Sequence, residues 1–182
     1  MGLDRLSDPS DPLYISDDAP AKLSDAKDLF YDQDNDTFWV CDSGNNRILR
    51  LDTDLKVTGC YTGFTGSTEI SVGEDGRSTF LNPNGIYVKK SIFDDKLYVY
   101  IADTDNSRAV KCTVESGTEM TLVQEYTKPD TKLYDSETFN PSKILADKAE
   151  NIYVVCKSVN TGSVQFNKAV SYTHLTLPTI RL

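Results

Sequence analysis

The six-residue pattern Asp-[Ser/Thr]-x-Asn-x-Arg occurs twice, as Asp42-Ser43-Gly44-Asn45-Asn46-Arg47 and as Asp103-Thr104-Asp105-Asn106-Ser107-Arg108. A carboxylate five residues ahead of a guanidinium can do two kinds of chemistry. It can act on a substrate beside a cationic anchor, or it can accept backbone N–H groups at a turn while the planar arginine fork reaches back to it. A catalytic device normally appears once per site. Because this one recurs, Asp42, Asn45, Arg47, Asp103, Asn106 and Arg108 are read as structural corners, and no catalytic, cofactor-binding or metal-binding residue is assigned. Gly44 or an Asn is expected to take the positive φ that such a turn needs.

Other reactive side chains are sparse or scattered. Cys41, Cys60, Cys112 and Cys156 lie 19, 52 and 44 residues apart, so no CxxC knuckle exists and a compact zinc site is not expected. The cysteines are read as small core residues, with Cys41 and Cys156 placed where the second copy of the pattern has Ala102. Asp34, Asn35 and Asp36, with Asp94 and Asp95, fall in turns; Asp-Asn-Asp lacks the rest of a calcium loop and is read as a solvated turn. His174 is the single histidine.

The elements that must position the corners repeat as well. An opening turn, a short apolar strand, an acidic turn, an aromatic-rich second strand and a polar corner leading to a third strand recur in copies near 23–61, 80–126 and 138–167. Asp28, Gly85 and Lys143 align at separations of 57 and 58. That spacing exceeds a common propeller repeat of about 40–50 residues, so loops 62–79 and 127–137 are expected to carry the excess. Short β-branched and aromatic runs bounded by Asp, Asn, Gly and Pro predict strands, with 37–41, 97–102 and 151–156 equivalent and Trp39, Tyr98 and Tyr153 near the repeating second strand, read as packing between units. The fold class is all-β. A unit of about four strands cannot bury both faces of its sheet alone, and radial packing against like units leaves only short edges.

Asn-Pro-Asn-Gly-Ile-Tyr-Val at 82–88, Leu-Tyr-Val-Tyr-Ile-Ala-Asp-Thr-Asp-Asn-Ser-Arg at 97–108 and Phe-Trp-Val-Cys-Asp-Ser-Gly-Asn-Asn-Arg-Ile at 38–48 resemble the NHL-repeat β-propeller family. The third copy departs from it, with Lys157 at the corner Asp and Gly162 at the Arg. The resemblance covers about 23–167 and implies a partial β-propeller, three NHL-type blades of an incomplete, commonly six-bladed ring. It is closest in character to exported Gram-positive proteins of unassigned function, which implies an extracytoplasmic location. It also implies a non-enzymatic binding or scaffold module presenting loops 62–79 and 127–137 to a protein, peptide or glycan, without a cofactor. The alternative is a fragment of a metal-dependent hydrolase or lyase, either lactonase-like with carboxylates and Asn around a divalent ion or amidating-lyase-like with histidines around zinc.

Composition narrows the partners. The chain has 182 residues, 38% hydrophobic and 26% charged, enough for one globular domain with a core. A formal charge of -9 without a Lys/Arg stripe weighs against nucleic acid and an anionic membrane surface. No run approaches the roughly 18 apolar residues of a membrane span, and Met1-Gly2-Leu3-Asp4-Arg5 lacks the layout of a signal peptide. Residues 170–179 resemble the translation of a transposase adapter used in sequencing libraries, so 170–182 are set aside as a non-native tail. The natural reading frame is then expected to continue past Ala169, with Met1 an internal methionine. Residues 1–22 are read as an N-terminal segment belonging to a preceding blade.

Overall fold

The computed structural model of the chain describes residues 2–66, 77–130, 138–157 and 167–172. It is an all-β arrangement of three sheets, and among the described residues helical structure is confined to short 3-10 turns. The first sheet is a four-stranded antiparallel meander of β1 (Asp28–Asp32), β2 (Thr37–Asp42), β3 (Arg47–Leu51) and β4 (Val57–Tyr61). β5 (Gly63–Thr65) and β6 (Arg77–Thr79) follow, then the second meander of β7 (Pro83–Lys90), β8 (Leu97–Asp103), β9 (Arg108–Val114) and β10 (Met120–Tyr126). The third sheet holds β11 (Pro141–Ala146), β12 (Ile152–Lys157) and β13 (Asn167–Tyr172). The three predicted second strands are β2, β8 and β12.

Alternating side chains make every strand two-faced. Trp39, Cys41, Ile48 and Tyr61 on one face of the first sheet pack with Ile86, Val88, Val99, Ile101, Val110 and Cys112 of the second. The opposite face of the second sheet carries Tyr98, Tyr100, Ala102 and Ala109, which pack with Ile144, Ala146, Ile152, Val154 and Cys156 of the third. The opening strands β1, β7 and β11 run side by side. Gly85 is required there, because a Cβ would stand 2.7 Å from the Ser142 carbonyl oxygen and 2.8 Å from the Lys143 Cα.

Three features add to what the repeats predict. Residues 2–22 contribute no strand. They form a 3-10 turn (Leu3–Ser7) and further turns that lie over the first sheet, where Leu3, Leu6, Leu13 and Ala19 are buried against Val40, Leu49, Leu51, Val57 and Cys60. Pro9, Pro12 and Pro20, which lack an N–H, suit such a path better than a strand in a ladder. Part of loop 62–79 is ordered as the β5–β6 hairpin, and β5 extends the second sheet by a parallel contact of Thr65 with Thr121 of β10. The third copy continues to a third strand, and the boundary drawn at Val170 falls inside β13.

Register sets the aromatic counterparts and corrects the placing of Cys156 at the Ala102 position. Phe30 faces Trp39, Tyr87 faces Tyr100 and Leu145 faces Tyr153, so Tyr100 and not Tyr98 is the counterpart of Trp39 and Tyr153. Asp28 faces Cys41, Gly85 faces Ala102 and Lys143 faces Val155. Cys156 instead pairs with Pro141 as Asp103 pairs with Pro83. It therefore takes the place of the corner Asp, packing toward the second sheet, and Lys157 lies one residue beyond.

Candidate functional site: the repeated corners and their latches

Each corner is a single 3-10 turn, Ser43–Asn45 or Thr104–Asn106, ended by a residue in the left-handed region. That residue is Asn46 (φ 53°) in the first copy and Ser107 (φ 52°) in the second. Gly44 is not used for positive φ. Its role is closeness, since a Cβ there would meet the Ser24 hydroxyl oxygen at 2.5 Å.

The Asp-centred bonds of the two clamps match, and Arg108 in addition pairs with Glu125 at 3.3 Å. In the first, Asp42 Oδ2 accepts from Arg47 Nε at 2.6 Å and from Asn45 Nδ2 at 2.9 Å, while Oδ1 accepts the Ser24 N–H at 2.7 Å. In the second, Asp103 Oδ2 accepts from Arg108 Nε at 2.8 Å and Asn106 Nδ2 at 2.9 Å, and Oδ1 accepts the Leu81 N–H at 2.8 Å. The Asn amides also donate to the Lys22 and Thr79 carbonyls, and Arg47 and Arg108 to Pro20 and Thr79. Arg108 stacks over Phe64 with its guanidinium carbon 4.9 Å from the ring centroid. Each carboxylate thus binds the chain leading into its own sheet to the corner between that sheet's second and third strands. Both carboxyls are fully buried and their oxygens are engaged from within the protein. Burial pushes Asp103 above the ordinary carboxylate range, while the Arg108 charge and these hydrogen bonds pull it back. Chemically, such a group anchors a turn; it offers no solvent-facing lone pair to a substrate.

The second residue of the motif works across the sheets. Ser43 Oγ donates to the Pro83 carbonyl, and Thr104 Oγ1 donates to the Pro141 carbonyl at 2.6 Å. Every corner is latched to the opening Pro of the next sheet. Spacing alone missed this, although the recurring hydroxyl and the recurring Asn-Pro were its signal. Asp28, Gly85 and Lys143, aligned by sequence, also meet. Asp28 Oδ2 accepts the Ile86 N–H at 3.0 Å and its Oδ1 pairs with Lys143 Nζ at 2.5 Å.

The remaining sites are placed as follows. Asp32 takes the Asn35 amide at 2.8 Å and the Asp34 N–H, and the Tyr31 hydroxyl donates to Asp36 at 2.7 Å. Asp94 takes the Tyr98 hydroxyl at 2.6 Å, and Asp95 pairs with Lys90. These acids hold their own turns. Among the described residues, no three His, Cys, Asp or Glu side chains gather as metal donors. All four cysteines are buried, and burial raises the thiols of Cys41, Cys60 and Cys112, that of Cys60 to about 11. Residues 67–76 and 131–137 of the two candidate contact loops, and His174, lie outside the described residues. No protein-family model matches the chain, and no curated protein matches it.

Proposed function

We propose that this chain is part of an NHL-type β-propeller, with its three sheets as successive blades, and that it serves as a non-enzymatic scaffold presenting loops to a protein, peptide or glycan. The observation that carries the reading is the repeated corner. The residues with the richest chemistry, Asp42, Arg47, Asp103 and Arg108, are consumed in holding one sheet to the chain that enters it. The meanders beside one another, with β1, β7 and β11 adjacent, suit radial packing around an axis lined by opening strands. On a rigid support of this kind recognition belongs to the connecting loops, here 62–79 and 127–137. An extracytoplasmic location is proposed with the same resemblance. The hydrolase or lyase alternative requires a convergent donor set, and nothing among the described residues favours it.

The test is binding of the purified chain to peptide and glycan arrays, compared with a variant in which 67–76 and 131–137 are replaced by Gly/Ser. Loss of binding with unchanged Trp39 emission is the expected result. Binding indifferent to both loops, or turnover of lactone or peptidylglycine substrates with added calcium or zinc, overturns the scaffold reading.

A further inference from the structure

Tyr100 occupies on β8 the place that Trp39 occupies on β2, opposite the opening strand of its own sheet. Both rings are fully buried, and each carries one polar atom that burial obliges to find a partner. Trp39 finds it on its own strand, where the indole N–H donates to Thr37 Oγ1 at 3.2 Å. On β8 the residue two places back is Tyr98, whose hydroxyl is taken by Asp94 at 2.6 Å. Tyr100 packs into the junction with the third sheet, and its hydroxyl makes no hydrogen bond there.

A second unpartnered atom in that junction comes from the turn between β11 and β12. Glu150 sits there at φ 63°, as Asp36 and Asp95 sit at φ 50° and 64° in the turns between the first and second strands of the other two sheets. Those two acids bind within their own hairpins, to Tyr31 and Lys90. Glu150 instead reaches the second sheet, where its Oε2 accepts from Lys111 Nζ at 2.8 Å. The same ammonium lies 3.7 Å from the Tyr98 ring centroid and 5.7 Å from that of Tyr100. Glu150 Oε1 is buried and accepts no hydrogen bond, with Ser91 near the carboxylate but outside hydrogen-bond geometry.

A donor and an acceptor thus share one junction without meeting. Burial and then the Glu150 charge push the Tyr100 hydroxyl up, so it keeps its proton. Burial works against the charge on Glu150, but the hydrogen bond and charge of Lys111, with Ser91 and Lys89 nearby, hold its carboxyl below the ordinary range. Its oxygens remain acceptors. An occupant that joins the two atoms must accept from one and donate to the other. It must be neutral, because Lys111 already balances the carboxylate, and small, because Tyr100, Ser91, Lys111 and Tyr126 are all buried.

We propose that one ordered water molecule bridges the Tyr100 hydroxyl and Glu150 Oε1, accepting from the first and donating to the second. Water meets every one of these conditions, and buried polar atoms that the protein leaves unpaired are where such molecules are held, commonly by about three hydrogen bonds. The result is a polar chain from Lys111 through Glu150 and water to Tyr100, which ties the β11–β12 turn to β8 and β9 across an otherwise apolar contact. The inference concerns this junction alone and holds whether or not the sheets belong to a ring.

The first test is a crystal structure of the 182-residue chain fine enough to place ordered solvent. One water peak within hydrogen-bond distance of both atoms is the expected result. The second test is Tyr100→Phe, which removes the hydroxyl and nothing else. A bridged hydroxyl contributes to stability, so urea unfolding of Tyr100→Phe should move to a lower midpoint, and its crystal structure should lack the water. A hydroxyl buried without any partner opposes folding, and deleting it raises the midpoint instead. Should Tyr100→Phe fail to fold, as read from Trp39 emission, the wild-type crystal structure decides. A direct hydrogen bond from Tyr100 or Ser91 to Glu150 Oε1 without a water, an ion in the water's place, or a Tyr100→Phe midpoint that stays or rises overturns the proposal.

Discussion

The Thr104 hydroxyl donates to the Pro141 carbonyl 2.6 Å away, and Ser43 repeats this bond to Pro83 one sheet earlier. Both hydroxyls are buried. Replacing Thr104 by Val keeps the volume and strands the carbonyl, at a cost of roughly 1–3 kcal/mol. Urea unfolding should place Thr104→Val and Ser43→Ala at lower midpoints than wild type. A variant that unfolds at the wild-type midpoint would show that the latch contributes nothing.

The Asp103–Arg108 pair should be far less forgiving. Removing one partner of a buried ion pair leaves a desolvated charge and costs about 3–5 kcal/mol. Arg108 keeps Glu125 at 3.3 Å when Asp103 is lost, so Asp103→Ala is expected to fall below that range, and Arg108→Lys is expected to destabilise as well, because an ammonium cannot bond Asp103 and the Thr79 carbonyl as a planar fork does. Thermal denaturation of both variants checks this. Variants as stable as wild type would remove the clamp from the account of the fold.

Ser107 sits at φ 52°, where the first copy uses Asn46. Asn tolerates the left-handed region better than Ser. Ser107→Asn should therefore stabilise the chain by a part of the roughly 1–3 kcal/mol that a left-handed non-glycine residue stores. A small upward shift of the urea midpoint is the readout, and a downward shift counts against it.

Alkaline pH should weaken the fold. Cys60 is pushed from an ordinary 9.0 to about 11 and Tyr61 from 10.0 to about 12, both chiefly by burial. Their folded forms hold the proton more tightly than the unfolded chain does, so this stability is complete below pH 9 and is lost as pH rises through 11 and 12. Each unit is worth about 1.4 kcal/mol. Unfolding at pH 8 and pH 10.5 should differ by a few kcal/mol, and Cys60→Ala should flatten the dependence. An unchanged midpoint across that range refutes the assignment.

The corners were legible in the sequence because their chemistry is local, with Asp, Asn and Arg of one turn meeting over five residues. The strands were legible for a related reason, as turn residues bound them on both sides. What was misjudged depends on register. The turns joining first and second strands differ in length, bounded by Asp32 and Thr37, Lys90 and Leu97, and Ala146 and Ile152. The bulge between Pro141 and Lys143 repeats the one between Pro83 and Gly85, so the shorter path from Lys143 to Cys156 than from Gly85 to Asp103 is what puts Cys156 at the corner position. How residues 2–22 pack was not legible because their four buried apolar side chains are spaced irregularly, along turns set by Asp8, Asp11 and the prolines. No strand period betrays them.

The latches also have a direction. A corner's carboxylate is satisfied by residues upstream of its own sheet, Ser24 for Asp42 and Leu81 for Asp103, whereas its hydroxyl waits for a proline carbonyl that comes about forty residues later. As the chain leaves the ribosome, each unit can close its clamp with what has already emerged, while its last bond is offered to what has not. Each clamp is thus complete without the sheet that follows it, whereas the hydroxyl bond exists only once that next sheet is in place.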